Sequence, residues 1–219
     1  ESSATGKAMT DAYHHAQKIV KHHVNANDED VLLFTGTGMT SALAKLQRIL
    51  GLKIPVQAKN YCAFASKDKN KCKDDIGEGR PVVFITHTEH HSNHTSWFET
   101  IADVVLLEPT PDLKVNPDSL RKEIVKYAGR PLLIGSFSAC SNVTGYMPDY
   151  YELAEIMHRH NGYCFVDFAA SAPYVDIDMH PADKLRQLDA IFFSPHKFLG
   201  GPGSAGVLIF NKKLYKNDT

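Results

Sequence analysis

Ala190-Ile191-Phe192-Phe193-Ser194-Pro195-His196-Lys197-Phe198-Leu199-Gly200-Gly201-Pro202-Gly203 governs the reading of the whole chain. Its first four residues are an unbroken apolar run, which predicts a short buried strand. That strand delivers Ser194, His196 and Lys197 into a turn, and the glycines that follow suit a backbone that bends or approaches something closely. A lysine at the end of a buried strand is expected to be partly desolvated. Desolvation favours the neutral amine, a nucleophile for carbonyl carbon. A solvated lysine on a surface loop is the commoner meaning of such a turn, so the rest of the chain has to decide.

Outward from this stretch, apolar runs recur at Val31 to Phe34, Pro81 to Thr86, Ala102 to Leu107, Pro131 to Phe137, Tyr163 to Asp167 and Ala205 to Phe210. Between them, residues at helical spacing predict helices over Ala8 to Val24, Ala42 to Leu50, Pro117 to about Tyr127 and Asp149 to His160. Asn116 is a capping residue and Pro117 takes the favoured first position. Strands alternating with helices predict an α/β fold, a mostly parallel (mixed) sheet with helices on both faces, in one domain over residues 1–219. The polar and reactive residues fall at strand C-terminal ends, where such sheets bind ligands. The polar stretch from Lys53 to Arg80, with its mixed-charge run Lys67 to Asp75, predicts a solvated loop or insertion. His14, His15, His22 and His23 sit on the first helix and are expected to be surface residues; no metal site is assigned.

Composition narrows the functional classes. With 43% hydrophobic and 22% charged residues in 219, the chain has material for one sizeable core, and a net charge of -1 gives no electrostatic case for nucleic acid or an anionic membrane. No apolar run is long enough to cross a bilayer, and Glu1-Ser2-Ser3-Ala4 does not open like a signal peptide. Cys62, Cys72, Cys140 and Cys164 form no CxxC pair, which suggests a reducing, cytoplasmic setting.

Four strand ends offer complementary chemistry. Thr35-Gly36-Thr37-Gly38-Met39-Thr40-Ser41 joins a strand to a helix and offers a phosphate cradle at Gly38 to Thr40. It is neither a full dinucleotide fingerprint nor a P-loop, because Ser41 replaces the third glycine and no Gly-Lys-Ser/Thr follows. A nucleotide-dependent protein would also need an acidic residue near Ile54 to Lys59, where none stands. His90 adds an imidazole, Asp167 a carboxylate and Lys197 an amine. One cofactor uses all four: pyridoxal phosphate, whose aldehyde takes a lysine, whose phosphate takes a helix N-terminus and whose ring nitrogen takes a carboxylate.

On Gly38-Met39-Thr40, Thr88-Glu89-His90-His91-Ser92-Asn93, Ser141-Asn142-Val143-Thr144-Gly145, Val166-Asp167-Phe168-Ala169-Ala170-Ser171-Ala172-Pro173 and Ser194-Pro195-His196-Lys197, the chain resembles the class V aminotransferases of pyridoxal-phosphate fold type I. That group holds cysteine desulfurases and selenocysteine lyases, with kynureninases and an epimerase as relatives. The resemblance implies that Lys197 carries the Schiff base and acts as acid and base, that Asp167 pairs with the ring nitrogen and that His90 stacks on the ring. It places Asn142 near the phenolic oxygen, and Met39, Thr40, Ser194 and His196 around the phosphate. It further implies an amino-acid substrate, a sulfur-acceptor protein for a desulfurase, and a homodimer. Ala170 stands where the family usually has Gln, and Tyr174 where desulfurases commonly have His; both leave the reaction open. Family members are about twice as long, so the chain is expected to be the large domain alone, without the small domain that carries the substrate-carboxylate arginine and the desulfurase cysteine. Alone it is expected to turn over poorly. Cys140, nearest the site, is expected to be a packed thiol. Another class V activity, or a binding domain with a degenerate site, are the alternatives.

Overall fold

The computed structural model describes residues 3–55 and 79–216, so Cys62, Cys72 and the run from Lys67 to Asp75 lie outside the described residues. Seven strands among them hydrogen-bond into one sheet: β1 (Asp30–Thr35), β2 (Val82–Ile85), β3 (Asp103–Leu106), β4 (Leu133–Ser138), β5 (Tyr163–Asp167), β6 (Ala190–Phe193) and β7 (Gly206–Asn211). Their order is β1-β7-β6-β5-β4-β2-β3. β7 runs antiparallel to both its neighbours and every other pairing is parallel, so six strands point one way. The mixed, mostly parallel sheet expected from the alternation of elements is the one found.

The central strands of this sheet are buried on both faces, while the edge strands β1 and β3 are partly exposed. Side chains alternate across it with the period of two that a strand imposes: Phe84, Val166 and Ile191 go to one core, and Val83, Phe165 and Phe192 to the other. The first core is covered by α4 (Pro117–Ile124) through Leu120 and Ile124, and by α5 (Tyr150–Arg159) through Leu153, Ala154 and Met157. The second is covered by α2 (Met39–Ile49) through Ala42, Leu43 and Leu46, and by α3 (His91–Phe98) through Trp97. Leu43, Leu46 and Leu120 are wholly buried, each contributing roughly 2 kcal/mol of transfer free energy.

Three differences from the sequence reading have physical causes. α3 is not among the helices that the sequence predicts, because His-Ser-Asn-His-Thr-Ser-Trp-Phe has no apolar period. It forms through a cap from His90, whose ring accepts the Ser92 N–H at 3.1 Å, and through the Trp97 indole N–H donating to Asn93 Oδ1 at 3.3 Å. α2 begins at Met39, not Ala42, so Met39, Thr40 and Ser41 form its first turn. α1 (Ala4–His23), capped by Ser3, has no buried residue, and Ile19 on its expected apolar face is 45% exposed. No helix among the described residues is long and apolar enough to cross a membrane.

The edge where β5 and β6 begin is closed by a charge cluster. His158 of α5 places Nε2 2.7 Å from Asp189 Oδ2 and Nδ1 2.6 Å from the Leu185 carbonyl. Both ring nitrogens face acceptors, so both hydrogen bonds form only when the ring is doubly protonated. Asp189 also accepts the Cys164 N–H at 2.8 Å and the Lys213 ammonium at 2.6 Å. Burial opposes charge on His158, but the hydrogen bond and charge of Asp189 outweigh it and hold the imidazole above its ordinary range. A group raised in this way gives stability that is complete below its unfolded value, near 6.5, and fades as pH rises through the folded one. His158→Ala is therefore expected to cost about 3 kcal/mol at pH 5.5 and clearly less at pH 9, as measured by urea denaturation. Equal losses at the two pH values would mean that the ring is neutral.

Candidate active site

Six strand C-termini and the start of β7 share one edge of the sheet, and a cavity of about 210 Å³ opens there. It is lined by Met39, Thr40, His90, Asn142, Asp167, Ser194, His196 and Lys197, so residues scattered over some 160 positions of sequence are brought to one place. Gly38, the remaining residue expected at the site, lies directly behind His196.

Gly38 is the N-cap of α2, at φ 86°, and has no side chain of its own to cap the helix. The partial positive charge of the helix end therefore faces the cavity without a protein anion to meet it. The Met39 N–H donates to Ser194 Oγ at 2.8 Å, and Thr40 Oγ1 donates to Ser92 Oγ at 2.7 Å, tying the helix start to the β6 turn and to α3. A Cβ on Gly38 would stand 2.6 Å from His196 Cε1. The glycine is needed both for its positive φ and for this close approach.

Lys197 and His196 sit in a single 3-10 turn, Pro195–Lys197, and both are exposed to the cavity side. Lys197 is not buried by the strand end as expected. Pro195 has no N–H for the sheet ladder, and it turns the chain out of the core before the lysine is reached. The amine is held at the cavity by backbone geometry rather than by apolar surroundings.

His90 accepts the Ser92 N–H on Nδ1, so the neutral ring carries its proton on Nε2. Partial burial, then the nearby Lys197 and His91, lower its pKa from the ordinary imidazole range and favour that neutral form.

Asp167 closes β5 with its side chain out of water, 4% exposed. Oδ1 accepts the Ala169 N–H at 2.8 Å, and no ion pair reaches it among the described residues. Burial pushes its pKa up to about 7; Glu89 adds to the rise, while the Ala169 N–H and the charge of Lys197 oppose it. An acid in this state seeks a cation.

Thr37, Ser92 and Ser138 also line the cavity and were not singled out from sequence. Ser92 was obscured because α3 was not recognised, and Ser138 because only the register, which sets it opposite Asp167, brings it to the site. Cys140 lines the cavity half-exposed rather than packed away, since the loop after β4 turns it outward; burial nonetheless raises its thiol above the ordinary value. Ala170 lines it too. The histidines of α1 remain exposed except for local contacts, and no group of three potential metal ligands gathers among the described residues.

Comparison with known proteins gives a consistent picture. The family model described as aminotransferase class V matches residues 69–217. A probable cysteine desulfurase of Halalkalibacterium halodurans is 29% identical over 214 residues, covering 96% of this chain and 45% of that protein. One from Staphylococcus epidermidis is 29% identical over 216 residues, covering 97% and 45%. Among solved structures, a NifS-like protein from Rickettsia africae superposes with a TM-score of 0.69 at 16% identity, over 97% of this chain and 50% of that one. The cysteine desulfurase CsdA of Escherichia coli does so at 0.66 and 24% identity, over 98% and 47%. These two superpositions establish a shared fold.

The helix cap supplies a test of the site's architecture. Gly38→Ala combines a positive φ with a clash against His196, and is expected to cost roughly 2–3 kcal/mol. Gly145→Ala, at φ 72° with open space around it, is expected to cost about 1 kcal/mol from the backbone alone. Thermal denaturation of the pair measures the difference; equal losses would show that the approach of His196 to Gly38 is not tight.

Proposed function

Because the chain belongs to the class V aminotransferase family, we propose that it is the cofactor-binding part of a pyridoxal-phosphate enzyme acting on an amino acid, with cysteine desulfurase chemistry as the whole protein's reaction. The observation that carries this reading is one cavity holding a helix N-terminus with glycine as its N-cap, an exposed lysine and a buried carboxylate that has no ion pair among the described residues. The chain spans about 45% of the length of the curated relatives it matches, and that those relatives are probable cysteine desulfurases supports the choice of reaction. The large-domain boundaries, a homodimer, a sulfur-acceptor protein and a cytoplasmic setting belong to the same proposal.

The residues present fit the cofactor. A phosphate has the α2 N-terminus with Thr40, Ser194 and His196 around it, and the close packing of Gly38 on His196 leaves that end of the cavity shaped by backbone. A protonated ring nitrogen has Asp167, whose raised pKa is the signature of a carboxylate awaiting a positive charge. When bound, pyridoxal phosphate supplies an aldehyde for an amine and a ring that accepts electrons released at a substrate carbon. The protein's own part is positioning and proton traffic. Lys197 brings its amine to the cofactor and moves the proton at the substrate's α-carbon. Asp167 keeps the ring nitrogen protonated. His90, neutral and carrying its proton on Nε2, offers a flat face and one donor. Asn142 offers an amide toward the same cavity.

The test is a visible absorbance spectrum of the purified chain with pyridoxal phosphate, followed by borohydride reduction and peptide mapping. A yellow adduct whose label maps to Lys197, lost in Lys197→Ala and weakened at least tenfold in Asp167→Asn, is the expected result. Labelling spread over surface lysines, unchanged in Lys197→Ala, would sink the reading.

A further inference from the structure

A second carboxyl group lies behind the cavity floor. Glu89, one residue before His90, is 8% exposed. Its surroundings fix where the protons are. The Trp97 indole N–H can only donate, and Asn93 Oδ1 accepts it at 3.3 Å together with Ser136 Oγ–H at 2.6 Å. The Asn93 amide is thereby oriented with Nδ2 toward Glu89, donating to Oε2 at 2.7 Å. Ser138 Oγ donates to the same oxygen at 2.6 Å, and Thr86 Oγ1 donates to Oε1 at 2.6 Å. Thr86 Oγ1 is itself supplied by the Thr88 N–H at 3.3 Å. Donors meet both oxygens, the pattern that receives a carboxylate ion rather than an acid. Burial pulls the other way and raises Glu89, with the hydrogen bonds from Ser138, Thr86 and Asn93 opposing it.

Ser138 joins this carboxylate to the site. It lies opposite Asp167 in the β4–β5 register and lines the cavity, and its proton is already given to Glu89. Toward the cavity it therefore presents lone pairs alone. The charged groups acting on Asp167 are Glu89 and Lys197, of opposite sign, alongside the neutral Ala169 N–H. Two carboxylates withdrawn from water at one part of the floor repel each other and attract any cation placed before them.

We propose that Glu89 is a positioning residue for Asp167: an ionised carboxylate set behind the cavity floor, whose charge strengthens the hold of Asp167 on a cationic ring nitrogen. The proposal rests on the reading above, in which Asp167 faces such a nitrogen, and it adds a residue that acts without touching the ligand.

The experiment begins with the cofactor-free chain, where the coupling is separable from cofactor binding. The ¹³C carboxyl resonance absent from Asp167→Asn is followed against pH. It is expected to titrate near 7, and Glu89→Gln, which removes a negative neighbour, is expected to lower the midpoint by about one unit. Pyridoxal phosphate, titrated at pH 8.5 where Asp167 is ionised in both proteins, is expected to bind Glu89→Gln roughly tenfold more weakly. Near-UV circular dichroism checks that the variant is folded. Should it not be, Ser138→Ala leaves the carboxylate with one donor fewer, makes it harder to ionise and is expected to lower the Asp167 midpoint in the same direction. A folded variant with an unmoved Asp167 midpoint overturns the proposal while leaving the cofactor reading intact. A shifted midpoint in a chain that never binds pyridoxal phosphate overturns the cofactor reading while the Glu89–Asp167 coupling stands.

Discussion

A carboxylate kept out of water, with no ion pair among the described residues, is the constraint around which this molecule is arranged. Asp167 ends the central strand β5, with Ser138 and Phe192 beside it in the flanking strands. Burying it there is unfavourable in isolation. It is sustained because β5 is packed between two close-packed cores that hold the strand end in place. Six strands pointing one way then bring the helix end, the imidazole and the amine to that same edge. The alternation that buries the sheet and the direction that assembles the site are one arrangement.

Charge is handled in opposite ways at the two edges of the sheet. Where β5 and β6 begin, Asp189 is met by His158, Lys213 and a backbone N–H. His180 likewise reaches Asp30 at 2.6 Å, at the start of β1. Each is bonded to a histidine, and these bonds clamp α5 and the segment after β5 to the sheet. At the cavity edge the hydrogen bonds go to Glu89, and Asp167 is left short.

The features legible in the sequence were those that depend on periodicity and on residue type at strand ends. Apolar runs gave all seven strands to within a residue or two, and the placement of Asp167, His90 and Gly38 to Thr40 after such runs was enough to foresee one cavity. What escaped either lacks an apolar period or depends on partners distant in sequence. α3 is held by a cap and an internal Asn93–Trp97 bond, neither of which has an apolar period. Ser138 matters because of its register, and Glu89 because three donors from β4, α3 and the preceding loop converge on it. The exposure of Lys197 follows from a proline that could be seen in the chain but whose effect on burial depends on where β6 leaves the sheet.

The start of α2, through Met39 and Thr40, and the buried carboxylate of Asp167 line one small cavity, the first attracting negative charge and the second positive. Such a cavity has polarity as well as shape. A molecule bearing an anion at one end and a cation at the other is turned by this field before it makes contact, much as a needle is turned by a magnet, and the reversed pose meets repulsion at both ends. A molecule carrying only one of the two charges gains at one of these and leaves the other unanswered. The cavity can thus sort its ligands by the spacing and order of their charges as well as by their outline.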